Sequence, residues 1–428
     1  MTTSQTTLVR AIGRWSLTAL VINSIIGSGV FGLPSAIAQH VGSASPYAVL
    51  IAGIGMGAMM ACFAEVASQF RDAGGPYLYA RAAFGRLIGL QMGWMAWLVR
   101  LTAAAANANL FVDYLAEFFP AVSGSLLRLS VLALVIGSLA AVNYRGVKAG
   151  ADASSFFTVA KLLPLTAFIC VGILVGGTTP HPVAGLPSGD WPKALLLLAF
   201  AYGGFDSALI PLGEAKNPRR DAPFALLTAL AVVTAVYTLI QIVVIDVLPD
   251  AGATKRPLAD AARVFMGSAG AAMISVGAMV SVVGYLSANL LNAPRLTYAL
   301  AESNDFPKIF ARIHPRFRTP YVSIVVFAVL LWLFSAAGSF QWSASLSAVA
   351  RLFLYGFVCA ALLKLRKDQP AADAFRLPFG PAFSIFGIGF ALYLLFGMSM
   401  TEFAIIGGTF LLAYVHWLVV KRGAKAEL

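Results

Sequence analysis

The chain has 428 residues, of which 59% are hydrophobic and only 11% charged, with a mean hydropathy of +0.83. A water-soluble protein carries roughly 25% charged residues, so most of this surface faces something other than water. The net charge of +12 does not mark a nucleic-acid-binding domain, because the basic residues fall in short clusters between apolar runs, as they do in cytoplasmic loops of membrane proteins.

The first apolar run begins near Trp15 and carries Gly27-Ser28-Gly29 in its middle, with Pro34 following. Arg10 and Arg14 ahead of it and Ala36-Ile37-Ala38 within it imitate a cleavable leader. The run is too long for one, however, and is interrupted by Asn23 and Ser24, so it reads as a spanning helix. Further runs begin near Ser45, Leu87, Leu126 and Ser155, the last with Lys161 well inside it. The sixth begins at Trp191 and holds Phe200-Ala201-Tyr202-Gly203-Gly204-Phe205-Asp206. Others begin near Pro223, Ala269, Val322, Ser343, Pro381 and Glu402. A bilayer core about 30 Å thick needs about 20 helical residues, so the expectation is an all-α integral membrane protein with twelve transmembrane helices.

Between the spans, the stretch Pro257-Leu258-Ala259-Asp260-Ala261-Ala262 reads as a short surface helix. The segment 295–320 is the most basic and is broken by Pro307, Pro315 and Pro320, which suits an orienting loop. With alternate loops assigned to opposite sides, 22 Lys and Arg fall on the side of the two termini and five on the other. Both termini are therefore expected to be cytoplasmic. Arg100, Lys161 and Arg351 stay within spans. For Arg100 and Arg351, pairing with carboxylates or carbonyls of the bundle is the expectation.

Cys62, Cys170 and Cys359 lie in apolar runs without paired or ligand spacing, and His40, His181, His314 and His416 are scattered. No metal site, cofactor or disulfide is expected. Glu65 and Asp113, near span ends, read as interfacial. Trp15, Trp191, Trp342 and Trp417 suit interfacial belts, and Trp94 and Trp97 suit packing. The spans offer no cluster of carboxylates, histidines or nucleophiles of the kind an enzyme needs, nor the rings of like charge that line a channel.

The two glycine clusters stand five spans apart. Each glycine in a helix interior costs about 1 kcal/mol against alanine, so continuous helix is unfavourable at Gly27–Gly29 and at Gly203–Gly204. Close packing through small residues would explain either cluster alone. Corresponding breaks in two inverted repeats point instead to a transporter's midplane site. Unwound backbone offers N–H groups at a half-helix N-terminus for a carboxylate and carbonyls for an ammonium, which suits a zwitterion.

At these residues the chain resembles the amino acid–polyamine–organocation superfamily, nearly end to end. Ile26-Gly27-Ser28-Gly29-Val30-Phe31 is similar to its first-helix signature, and Gly74-Gly75-Pro76-Tyr77-Leu78-Tyr79 with Gly85 to its first cytoplasmic loop. Asn143-Tyr144-Arg145-Gly146-Val147-Lys148 resembles the end of its fourth helix. Phe200-Ala201-Tyr202-Gly203-Gly204-Phe205 with Glu214-Ala215-Lys216-Asn217-Pro218-Arg219 resembles its sixth helix and following loop, leaning to the L-type branch. Arg295-Leu296-Thr297-Tyr298-Ala299-Leu300 resembles the tail of its eighth helix.

The resemblance implies a 5+5 inverted repeat with helices 1 and 6 broken. Residues 1–176 form the first repeat, 177–366 the second, and 367–428 two further helices and a cytoplasmic tail. It implies secondary transport of amino acids across the cytoplasmic (inner) membrane, a neutral L-amino acid first and a cationic amino acid or polyamine second, with a bundle of spans 1, 2, 6 and 7 rocking against a scaffold of 3, 4, 8 and 9. The amides of Ser28 and Gly29 would hold the carboxylate, and the carbonyls of Ile25, Phe200 and Gly203 the amine. Phe200 would gate the site beside Gly27, and Gly203 and Gly204 would leave room for the substrate side chain. Asp206 departs from the Glu or Asn of many relatives, which puts side-chain preference in doubt. Lys161 would replace the sodium of sodium-coupled relatives, with protons or exchange as the coupling. The partners implied are an amino acid, membrane lipids and protons, with no nucleic acid. Monomer and homodimer both remain open.

Overall fold

The computed structural model describes residues 13–70, 75–146, 151–176, 189–209, 215–303, 305–368 and 375–426. Arg10, Gly74, Val147, Lys148, His181 and Glu214, named above, lie outside the described residues. The described elements are helical throughout. The first apolar run is two helices, α1 (Arg14–Ile25) and α2 (Gly29–Val41), and a short 3-10 turn leads into α3 (Ser45–Gln69). There follow α4 (Gly75–Phe84), α5 (Arg86–Leu115), α6 (Ser125–Arg145) and α7 (Ala151–Gly176). The sixth run is again divided, into α8 (Trp191–Ala201) and the single turn α9 (Phe205–Ala208). Then come α10 (Pro218–Val247), α11 (Pro257–Glu302), α12 (Tyr321–Ala337), α13 (Phe340–Asp368), α14 (Gly380–Leu395) and α15 (Met400–Ala426).

All twelve apolar runs thus fall on helices. Among the described residues, seven helical stretches are long and apolar enough to cross a membrane by length and composition, and Lys161–Val175, α12 and α14 are shorter apolar helices. The centre of the molecule is α5 against α13. Along α5, Ala103 to Ala106 are buried, and α13 answers with Ser343 to Ala350. Small residues let the two backbones approach closely, where van der Waals packing holds helices that hydrocarbon solvent does not drive together. The periphery is the reverse of a soluble protein. On α6, Leu126 is 80% and Leu134 71% exposed, a surface stable only against lipid tails.

Two expectations are corrected. Residues 257–262 are helical but do not form a surface helix, because Leu258, Ala259, Ala261 and Ala262 are fully buried. Gly267 (φ 66°, ψ −165°) bends α11 and folds its first turns inward. The preceding loop is tied to α2, where the Ser35 hydroxyl donates to the Thr254 carbonyl at 2.6 Å. Nor is Glu65 interfacial, being 1% exposed. Arg366 on α13 donates to its two carboxylate oxygens at 2.6 Å each, and the Leu377 amide adds a third bond at 2.8 Å. The crossing of α13 over α3 brings this arginine in from a sequence-distant loop end.

The ends of α4, α5 and α11 are joined in a similar way. Asp305, buried after the end of α11, accepts from Arg81 at 3.0 Å, from Arg86 at 3.1 Å and from the Tyr77 hydroxyl. This locks α4 and the start of α5 to the end of α11. Trp94 stacks on Phe306 at 4.4 Å, and the Trp97 indole donates to Thr297 at 3.0 Å, so both tryptophans pack as read. Cys62 and Cys359, unrelated in sequence spacing, are neighbouring buried thiols, whereas Cys170 is exposed.

Candidate functional site

The first break starts where Ile26 leaves helical geometry (φ −71°, ψ 94°), and α2 restarts with Ser28 as its N-cap. The first amides of a helix have no partner four residues back, so those of Ser28 and Gly29 stand at the amino end of α2. The second break follows Ala201. Tyr202 closes α8, and Gly204 adopts φ 104°, a left-handed conformation that favours glycine.

The two breaks touch. A side-chain carbon on Gly29 would stand 3.0 Å from the Ala201 Cα, and one on Gly204 would stand 2.5 Å from the Ser24 carbonyl oxygen. Unwinding and close packing, the two readings of a glycine cluster, are here the same structural fact. Bare backbone lets the broken helices meet at one depth.

The carbonyls freed at the end of α1 are not left bare. The Lys161 ammonium, reaching across from α7, donates to the Asn23 and Ile26 carbonyls at 2.6 Å each. The Tyr237 hydroxyl on α10 lies 3.2 Å from both the Ile25 and the Ala201 carbonyls, bridging the two broken helices. Ile25, one of the carbonyls expected to hold an amine, therefore shares one neutral donor with Ala201 and keeps a lone pair for a second. Nothing in the sequence separates Tyr237 from the other tyrosines, since its role comes from where α10 crosses both breaks. Replacing Tyr237 with phenylalanine removes about 1 kcal/mol of hydrogen bonding. The expected result is a several-fold slower initial uptake with little change in melting temperature, read in reconstituted vesicles and by thermal unfolding.

Other expected residues gather at the same place. Phe200 is buried, its ring edge-on to Phe340 with centroids 6.3 Å apart, and its carbonyl lies 3.5 Å from Arg351 Nη1. The Ser28 hydroxyl and the Asn23 side-chain oxygen are buried without a hydrogen-bond partner among the described residues. Asp206 accepts from the Tyr355 hydroxyl at 2.6 Å. A cavity of about 10 Å³, bordered by Gly29, Ala201, Tyr237 and Gln241, lies beside the breaks. It has room for no more than a water.

One expectation fails here. Gly203 and Gly204 do not leave free room for a side chain. The Arg351 guanidinium fills the space at Gly203, and the Ser24 carbonyl fills that at Gly204. Of the two pairings expected for Arg351, with a carbonyl or with a carboxylate, it makes the first, to Phe200, and forms no ion pair among the described residues. It enters from α13, which the sequence places far from either glycine cluster.

A helical bundle with a lipid-facing surface and two touching helix breaks at its centre defines a multi-pass membrane protein of the permease class. The amino acid permease family model matches residues 12–420, and the chain belongs to that family. It is 28% identical to the methylthioribose transporter of Bacillus subtilis, over 96% of this chain and 92% of that protein. It is 29% identical to the serine/threonine exchanger SteT of the same organism, over 92% of each. It is 25% identical to the branched-chain amino acid permease BcaP, again of Bacillus subtilis, over 98% of this chain and 93% of the relative.

Proposed function

We propose that this protein carries an amino acid across the cytoplasmic membrane by alternating access, with the zwitterion held at the double break. The observation that carries this reading is the meeting of the α2 amino end with the α8–α9 break at one point. Amide donors and carbonyl acceptors there face a region without water, where unsatisfied backbone groups are costly. The Ser28 and Gly29 amides take the carboxylate, and the carbonyls of Ile25, Phe200 and Gly203 take the ammonium. Twelve spans with both termini cytoplasmic, in two inverted repeats (1–176 and 177–366) with 367–428 appended, agree with the helix order and with the charge bias of the loops. The scaffold is spans 3, 4, 8 and 9, and the moving bundle is spans 1, 2, 6 and 7.

Lys161 stands in for a sodium ion. Its ammonium already saturates the Asn23 and Ile26 carbonyls, the oxygen-rich end of a broken helix where a bare cation would otherwise bind. Transport is then independent of sodium. We assign the protein no catalytic role.

The test is counterflow in proteoliposomes preloaded with each of the twenty amino acids in turn, with methylthioribose as the competing cargo suggested by one relative. Stimulated uptake of a labelled amino acid, unchanged when choline replaces sodium, is the expected result. Counterflow with methylthioribose alone overturns the amino-acid reading. A requirement for sodium overturns the role of Lys161.

A further inference from the structure

Among the described residues, one cation at the double break has no partner suited to it. Arg351 projects from the middle of α13 and is 7% exposed. Among the described residues its Nε is buried with no hydrogen-bond partner, and its one hydrogen-bond contact is the Phe200 carbonyl at 3.5 Å, the limit of a hydrogen bond. A guanidinium has five donors in a planar fork and does not deprotonate in proteins. A buried charge left in this condition is strongly destabilising, and ionisable groups in membrane spans mark functional sites by default.

Among the described residues, no carboxylate pairs directly with it. Asp206 is within electrostatic reach of Arg351, but its carboxylate accepts from Tyr355, and no ion pair forms between them. Arg100 also lies within electrostatic reach of Tyr285, as Arg351 does, and has no carboxylate within ion-pair distance among the described residues. The Lys161 ammonium is committed to α1 carbonyls. Among the described residues, cations therefore outnumber carboxylates around the breaks.

We propose that Arg351 binds a side-chain carboxylate of the cargo, so that the transported species is a dicarboxylic amino acid. This rests on the reading of the double break as an amino-acid site. A zwitterion uses the α2 amides and the freed carbonyls and leaves the guanidinium unserved. A second carboxylate accepts from two of its donors in the fork geometry that arginine and carboxylates share. A cationic cargo is repelled by the same group. Gly203 belongs to this arrangement, because any side chain there would overlap the guanidinium.

The experiment compares isosteres that differ in one charge. In proteoliposomes of the wild-type protein, labelled glutamate or aspartate uptake is expected, with glutamine and asparagine competing at least tenfold more weakly. Arg351→Gln is expected to lower the glutamate-to-glutamine selectivity at least tenfold, and Arg351→Lys to restore part of it. Should the variants fold poorly, thermal unfolding of the wild-type protein serves alone, with glutamate raising the melting temperature more than glutamine at equal concentration. Preference of the wild type for glutamine, asparagine or another neutral amino acid overturns the proposal while amino-acid transport stands. Stabilisation by chloride, with no difference between the isosteres, also overturns it. No response to any amino acid removes both this proposal and the reading beneath it.

Discussion

Replacing Lys161 with methionine is expected to lower initial uptake by about a hundredfold or more, with membrane insertion nearly unchanged. Methionine keeps the apolar stem and removes all three donors. The Asn23 and Ile26 carbonyls then lose bonds of 2.6 Å each in a buried site. Hydrogen bonds to a charged group contribute about 1.5–3 kcal/mol apiece, and each 1.4 kcal/mol is a factor of ten. The loss falls on the end of α1, the half-helix at the proposed substrate site, so it appears in transport before it appears in folding. Protein amount in the membrane, measured alongside uptake, separates the two. Wild-type uptake rates in Lys161→Met would show that the ammonium is not needed to hold this helix end.

The second large effect is expected at Gly204, where alanine should abolish uptake. The residue sits at φ 104°, and a side-chain carbon there would approach the Ser24 carbonyl oxygen to 2.5 Å. Left-handed backbone costs a non-glycine residue about 1–3 kcal/mol, and here the clashing atom is backbone, which does not rotate away. Relief requires α9 to move off the end of α1, separating the two breaks. Gly27→Ala is the control within the same motif, because the nearest atom to a side-chain carbon at Gly27 is the Ile25 carbonyl oxygen, 3.9 Å away. The expected ratio of uptake between the two variants is at least tenfold in favour of Gly27→Ala. Equal activity would mean that contact between the breaks is not essential to transport.

Much of this fold was legible because lipid is a simple solvent. Runs of apolar residues separated by basic loops had few other interpretations, and each run became a helix or a pair of half-helices. The breaks were legible for a local reason, since Gly27, Gly29, Gly203 and Gly204 disfavour helix whatever surrounds them. The misread elements were those whose environment depends on distant chain. Glu65 looked interfacial until Arg366 and the Leu377 amide closed over it. The turn at 257–262 looked exposed until Gly267 bent it into the core.

By itself, then, the sequence determined the solvent, the helices and the two places where they break, because hydropathy and backbone propensity act over a few residues. Only the tertiary structure decided which side chains meet those breaks. Lys161, Tyr237 and Arg351 arrive from α7, α10 and α13, and their convergence depends on how helices far apart in the chain cross. A guanidinium against Gly203 is set by that crossing, and no spacing within the chain encodes it.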